Sequence, residues 1–150
     1  IIMKHILLFL SLSLLVFSCK TYNDDEMDAF DKKIQAYIKK NDLKMIKSDS
    51  GLYYTIHEEG EGEFIKPNAV ILTSYEGKLM NGKVFDKQTT PVEMNLKNLI
   101  YGWREVAYYL KKGGKATIIV PPHLGYGDDE MDQLPASSIL IFNLEIVDAY

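Results

Sequence analysis

Near its C-terminal end the chain reads Ile139-Leu140-Ile141-Phe142-Asn143-Leu144-Glu145-Ile146-Val147, and this stretch limits the fold more than any other. Side chains of an extended strand point alternately to two faces. Extended, the segment puts Leu140, Phe142, Leu144 and Ile146 on one apolar face, and Ile139, Ile141, Asn143, Glu145 and Val147 on the other. A strand with one dry face needs neighbouring strands and a second layer to cover it.

The neighbours can be read upstream. Residues 52–56 are rich in β-formers, as are residues 70–75 and 115–120, the last stopped by Pro121-Pro122. Segments 78–80 and 83–85 flank Asn81-Gly82, which predicts a two-residue hairpin turn because both residues tolerate positive φ. Pro91 opens a short strand around residues 93–96. Gly60, Gly62 and Pro67 mark a loop, and a longer loop spans residues 123–137. Helical spacing interrupts the strands once, over residues 100–110, with Trp103, Val106, Ala107 and Leu110 on one side. A second helical stripe, Met27, Phe30, Ile34, Tyr37 and Ile38, lies over about residues 24–40. Acidic residues begin it and Lys39-Lys40 end it, the order that suits a helix dipole. It is short, so docking on its own domain is expected. The expected class is α+β: a curved antiparallel sheet wrapped on a short helix, with an extra N-terminal helix.

Several function classes fall away. The net charge is -4, from 21 acidic and 17 basic residues, and no compact basic patch offsets it, so nucleic acid is not an expected partner. A single cysteine, Cys19, excludes an intramolecular disulfide and a cysteine-pair zinc site. His57 and His123 have no acidic ligand pattern around them and read as ordinary surface or strand residues.

The N-terminal part obeys different rules. After Met3, Lys4-His5 precedes an apolar run of about a dozen residues, the length of a signal-peptide core and short of the ~20 needed to span a bilayer. It ends Val16-Phe17-Ser18-Cys19, which resembles a bacterial lipobox, although Phe17 is bulkier than the usual residue there. That resemblance implies cleavage before Cys19 and acylation of its thiol; a plain secretory signal or an uncleaved anchor is the alternative. The polar stretch that follows is expected to be a tether, and its acidic residues are similar to a surface-export signal of some Bacteroidetes lipoproteins. The expected divisions are 1–18 signal peptide, 19–26 flexible tether, 27–47 N-terminal helix and linker, and 48–150 folded domain. The expected location is the cell envelope, lipid-anchored at the outer membrane, facing the periplasm or the surface.

Five blocks, in order, resemble the FKBP-type peptidyl-prolyl cis–trans isomerases. They are Leu72-Thr73-Ser74-Tyr75-Glu76-Gly77-Lys78-Leu79 with Asn81-Gly82-Lys83-Val84-Phe85-Asp86; Leu99-Ile100-Tyr101-Gly102-Trp103-Arg104-Glu105; Gly113-Gly114-Lys115; Val120-Pro121 with Leu124-Gly125-Tyr126-Gly127; and Leu134-Pro135 with Leu140-Ile141-Phe142-Asn143-Leu144-Glu145. The resemblance implies an apolar pocket between sheet and short helix. Trp103 would be its floor, Tyr75, Phe85 and Phe142 its walls, and Leu99, Ile100 and Leu134 its rim and sides. Tyr126 and the Ile100 backbone N–H would bond the substrate carbonyl, and Asp86 would be the carboxylate at the edge. Val92 and Met94 would also meet substrate; Val92 falls near where many members place an aromatic wall.

The implied substrates are proline-containing polypeptides, with macrolide-type inhibitors as further ligands and the membrane as a partner through Cys19. The implied chemistry needs no cofactor, metal, nucleophile or acid–base pair. The acidic stretch at residues 128–133 departs from the family and suggests a preference for basic or polar flanks. A non-catalytic binding or holdase module on the same fold is the alternative, an accessory lipoprotein of gliding motility among its forms. If Cys19 carries the anchor, Cys19→Ser releases the protein from the membrane fraction; retention of the variant there would assign anchoring to the apolar segment instead.

Overall fold

The computed structural model describes residues 21–150. The expected signal peptide and Cys19 lie outside them. A six-stranded antiparallel sheet forms the frame, in the order β1-β2-β7-β8-β4-β5. Its strands are β1 (Ile46–Lys47), β2 (Tyr53–Glu58), β4 (Val70–Leu79), β5 (Val84–Asn95), β7 (Gly114–Val120) and β8 (Leu140–Ala149). A separate pair joins β3 (Glu61–Phe64) to β6 (Lys111–Lys112). Two α-helices complete the order, α1 (Asp24–Lys40) and α2 (Tyr101–Ala107).

The sheet has two working faces. Leu140, Phe142, Leu144 and Ile146 of β8 join Ala116, Ile118 and Val120 of β7 and Ile71 and Tyr75 of β4 in the main core, and α2 covers them with Trp103, Val106 and Ala107. The opposite face is polar along most of its length, through Thr117, Asn143 and Glu145. At one end it turns apolar, where Tyr53, Ile119, Ile139 and Ile141 meet Ile34, Phe30, Tyr37 and Ile38 of α1. The short N-terminal helix therefore docks on its own domain, as its stripe predicts. Burying a large aliphatic side chain contributes about 1.5–3 kcal/mol, which makes the fully buried Ile34 the main apolar fastening of α1.

Local chemistry fixes the ends of α1. The Asn23 side chain accepts from Glu26 N–H at 2.9 Å while Glu26 accepts from Asn23 N–H at 3.0 Å, a reciprocal cap that satisfies two otherwise orphaned donors. The helix begins at Asp24, inside the segment expected to be a flexible tether. A polar cluster then ties it to the sheet. Asp31 accepts from the Tyr53 hydroxyl at 2.8 Å and Gln35 at 2.7 Å, and pairs with Lys47 at 2.7 Å.

Three elements differ from expectation. The predicted two-residue turn is a longer one: Gly82 N–H donates to Leu79 C=O at 2.9 Å and Leu79 N–H to Lys83 C=O at 2.9 Å. Only Gly82 takes positive φ, at 87°; the Asn81 side chain accepts from Lys83 N–H instead. This is a tight turn closed by a glycine bulge. Pro91 lies inside β5 rather than opening a new strand, because β5 is an edge strand and needs no donor on its free side. Residues 61–64, expected to be loop, pair as β3 with β6.

Burial opposes ionisation of Asp31, yet its bonds from Lys47, Tyr53 and Gln35 hold the carboxyl below the ordinary aspartate range. A folded-state value below the unfolded one, about 3.9, stabilises the protein above that pH and is lost as pH falls through the folded value. Asp31→Asn should lower unfolding free energy by about 1 kcal/mol at pH 7. Denaturant melts of both proteins should converge as pH falls through the folded-state value, where wild type loses the same charge.

Candidate functional site

The site starts from two glycines that let layers approach. A Cβ on Gly102 of α2 would stand 2.9 Å from both methyl groups of Val120, so only glycine allows α2 to settle this closely on β7. The next residue, Trp103, is thereby sunk against the sheet and is 4% exposed. On β4, Gly77 pairs with Phe142 of β8 on one side and Asp86 of β5 on the other. A Cβ there would stand 2.7 Å from the Phe142 ring and 2.8 Å from that of Phe85, so both rings occupy the space above a bare backbone.

Four aromatic rings meet edge to face over these glycines. The Trp103 centroid lies 5.2 Å from Tyr75 and 5.5 Å from Phe142, near perpendicular in both cases. Tyr75 and Phe142 are 6.4 Å apart, and Phe85 stands 5.6 Å from Phe142. Such pairs each add about 0.5–1.5 kcal/mol beyond their buried area. A bulge supplies Phe85: Gly77 pairs with Asp86 but Lys78 pairs with Val84, leaving Phe85 as the extra residue. The consecutive residues Phe85 and Asp86 thus both serve the inner face.

Above the rings is a cleft of about 170 Å³. Tyr75, Asp86 and Met94 line it from β4 and β5, and Phe142 from β8. Asn98, Leu99 and Ile100 lead into α2, Trp103 forms the base, and Tyr126 enters from the loop before β8. Larger hollows occur among the described residues, of about 440 Å³ on the polar outer face of the sheet, about 660 Å³ beside β3 and about 180 Å³ between α1 and residues 47–51. None of them gathers a cluster of buried aromatic rings, and volume alone does not mark a site.

Polar groups around the cleft fall into two kinds. The Tyr75 hydroxyl donates to Asp86 at 2.7 Å, which fixes the carboxylate at the edge. Burial, then this bond, push the Tyr75 hydroxyl well above the ordinary tyrosine range. Burial and the charge of Asp86 raise Tyr126 as well, so both phenols stay protonated. The Tyr126 hydroxyl and the Ile100 N–H, in contrast, bond no protein acceptor among the described residues. Both belong to residues lining the same cleft.

Eight of the expected residues line the cleft: Tyr75, Asp86, Met94, Leu99, Ile100, Trp103, Tyr126 and Phe142. Three do not. Phe85 buttresses Phe142 from behind. Val92 pairs with Thr73 and packs on the core. There three β5 residues, Thr89 to Pro91, oppose the single Ser74, an irregularity that displaces Val92 along the strand. Leu134, 5% exposed, is absorbed into the main core. Asn98 lines the cleft unforeseen; its one signal is a polar residue within the turn before Leu99-Ile100.

The family model described as FKBP-type peptidyl-prolyl cis-trans isomerase matches residues 60–147. The isomerase FkpA of Buchnera aphidicola subsp. Schizaphis graminum is 48% identical over 118 residues, covering 75% of this chain and 47% of that relative. FkpA of Escherichia coli strain K12 is 38% identical over 104 residues, covering 67% and 38% respectively. The crystal structure of FkpA from Escherichia coli aligns with a TM-score of 0.72 at 32% identity, over 83% of this chain and 61% of that one. The crystal structure of AtFKBP13 aligns with a TM-score of 0.64 at 29% identity, over 72% of this chain and all of that one. The chain spans less than half the length of these two curated relatives.

Gly77→Ala should force Phe85 and Phe142 off their positions and cost about 1–3 kcal/mol in a denaturant melt. Trp103 fluorescence of the folded variant should shift with the moved rings. An unchanged spectrum and midpoint would mean the rings do not need the bare backbone.

Proposed function

The chain belongs to the FKBP-type peptidyl-prolyl cis–trans isomerase family, and from that membership we propose that its domain accelerates rotation about X-Pro bonds in polypeptides. The observation that carries the reading is a cleft based on aromatic rings with two donors, the Ile100 N–H and the Tyr126 hydroxyl, that bond no protein acceptor among the described residues.

Rotation of an X-Pro bond is slow because it breaks amide resonance, with a barrier near 20 kcal/mol. The twisted amide has lost the charge separation of the planar form. A cleft of Trp103, Phe142 and Tyr75 grips the proline ring, excludes water and suits the less polar, twisted species better than the planar one. That is differential binding of the transition state. The Ile100 N–H and Tyr126 hydroxyl hold the preceding carbonyl. Leu99 and Met94 contact the flanking residues, and Phe85 keeps Phe142 upright. Asp129, Glu130 and Asp132, exposed beyond Tyr126, favour substrates with basic flanks. Macrolide-type inhibitors of the family would occupy the same cleft.

In the same reading the mature protein is an envelope lipoprotein held through acylated Cys19. Among the described residues no helix is long and apolar enough to cross a membrane. A lone cysteine at the end of a short apolar run supports a lipid anchor.

Refolding of a protein limited by a proline isomerisation tests the activity. The wild-type chain should accelerate the slow phase in proportion to its concentration. Tyr126→Phe should lower kcat/KM about fivefold, the worth of one hydrogen bond of ~1 kcal/mol. Absence of any acceleration by wild type would leave the binding-module alternative.

A further inference from the structure

We propose that Tyr22 is a positioning residue for the loop that carries Tyr126, so that the segment just before α1 sets the geometry of the cleft. The proposal rests on the isomerase reading of that cleft. It begins from the neck of the loop. Ser137 N–H donates to Gly127 C=O at 2.8 Å and Ser137 Oγ donates to Asp128 Oδ1 at 2.7 Å, closing residues 127–137 into a flap. Both ends of the neck take left-handed backbone, Gly127 at φ 61° and Ser137 at φ 56°. Serine holds that conformation only when its surroundings impose it.

Tyr22 supplies part of the imposition. Its hydroxyl donates to Asp128 Oδ1 at 3.1 Å and lies 3.1 Å from Ser137 Oγ, completing a three-member ring of polar groups across the neck. Its own ring stands edge-on to Phe30 at 5.1 Å. Phe30 packs on the cluster that fastens α1 to the sheet. Rigid contacts therefore run from the outer face of the sheet, through Phe30 and Tyr22, to Gly127, the residue after Tyr126. The far part of the flap has a separate fastening, since Leu134 is buried and bridges Met131. Tyr126, 38% exposed, stands directly before the neck, and its own C=O accepts from Asp129 N–H at 3.2 Å, inside the flap that the neck closes.

Tyr22 lies outside the 60–147 span that the family model matches. The brace comes from the stretch directly after Cys19.

Tyr22→Phe in the full chain, kept in detergent, tests the brace, because the ring stays against Phe30 while the hydroxyl is lost. Backbone hydrogen exchange over residues 127–137 should quicken at least tenfold while β7 and β8 stay unchanged. The variant's kcat/KM on a proline peptide should fall about three- to fivefold, no further than loss of the Tyr126 hydroxyl itself. In a Tyr126→Phe background the same substitution should change kcat/KM less than twofold, because the group it positions is gone; a merely structural loss would act equally in both backgrounds. Unchanged flap exchange overturns the brace whatever the activity, and equal effects in both backgrounds overturn the link to Tyr126. An inactive wild type would overturn the isomerase reading, and exchange would still decide whether Tyr22 holds the neck.

Discussion

The edge-to-face contact of Trp103 with Phe142 is the interaction on which the rest of the site depends. It exists because two layers come closer than side chains ordinarily allow, α2 onto β7 at Gly102 and the rings onto β4 at Gly77. Once those approaches are fixed, Tyr75 has one place for its ring and one partner, Asp86, for its hydroxyl. A buried phenol without an acceptor would cost a few kcal/mol, so the carboxylate at the edge completes the aromatic floor. The apolar and polar parts of the cleft are therefore joined through Tyr75, whose ring belongs to one and whose hydroxyl belongs to the other.

How much of this was legible in the sequence follows from the range of the forces involved. Alternation along β8 and helical spacing in α1 are local signals, and they announced both faces of the sheet and the stripe of Ile34. Even the docking of α1 left a trace, in Ile139 and Ile141 at the apolar end of a face otherwise carrying Asn143 and Glu145. Register is not local. The extra residue at Phe85 and the three-against-one mismatch at Ser74 arise from how β5 meets β4, and neither neighbour's sequence states it alone. That is why Val92 lies off the cleft; Leu134, in the loop before β8, is drawn into the main core instead, and Asn98 reaches the cleft from the short turn before Leu99. The turn at Asn81-Gly82 was misjudged for a related reason. Asparagine can reach positive φ, but here its side chain already satisfies Lys83 N–H from a negative φ, and glycine alone takes the strained position.

The N-terminal segment shows the same lesson in reverse. Composition marks residues 19–26 as a stretch that cannot bury apolar surface, and this is true of Asp24 and Asp25, which stay exposed. Asn23 and Tyr22 nonetheless bind through polar atoms, one to the helix start and the other to Asp128 and Ser137. Hydropathy measures what a segment buries, not what it can bond, so ordering by hydrogen bonds escapes a reading based on apolar pattern.

In the proposed reaction the polar and apolar groups cannot share the same role. The carbonyl oxygen of a planar amide carries more negative charge than that of a twisted one, because resonance feeds it. Hydrogen bonds from Ile100 N–H and Tyr126 are then at least as strong in the ground state as in the transition state, and they cannot by themselves lower the barrier. Their contribution is orientation, holding the carbonyl while the prolyl side turns against Trp103 and Phe142. Asp86 also cannot serve as a base, since its carboxylate is occupied by Tyr75 and no proton is exchanged in the rotation. What remains to favour the twisted species is a floor of aromatic carbon that does not solvate the planar dipole. The rate then depends on how completely that floor excludes water, and hence on the approach of layers that Gly77 and Gly102 allow.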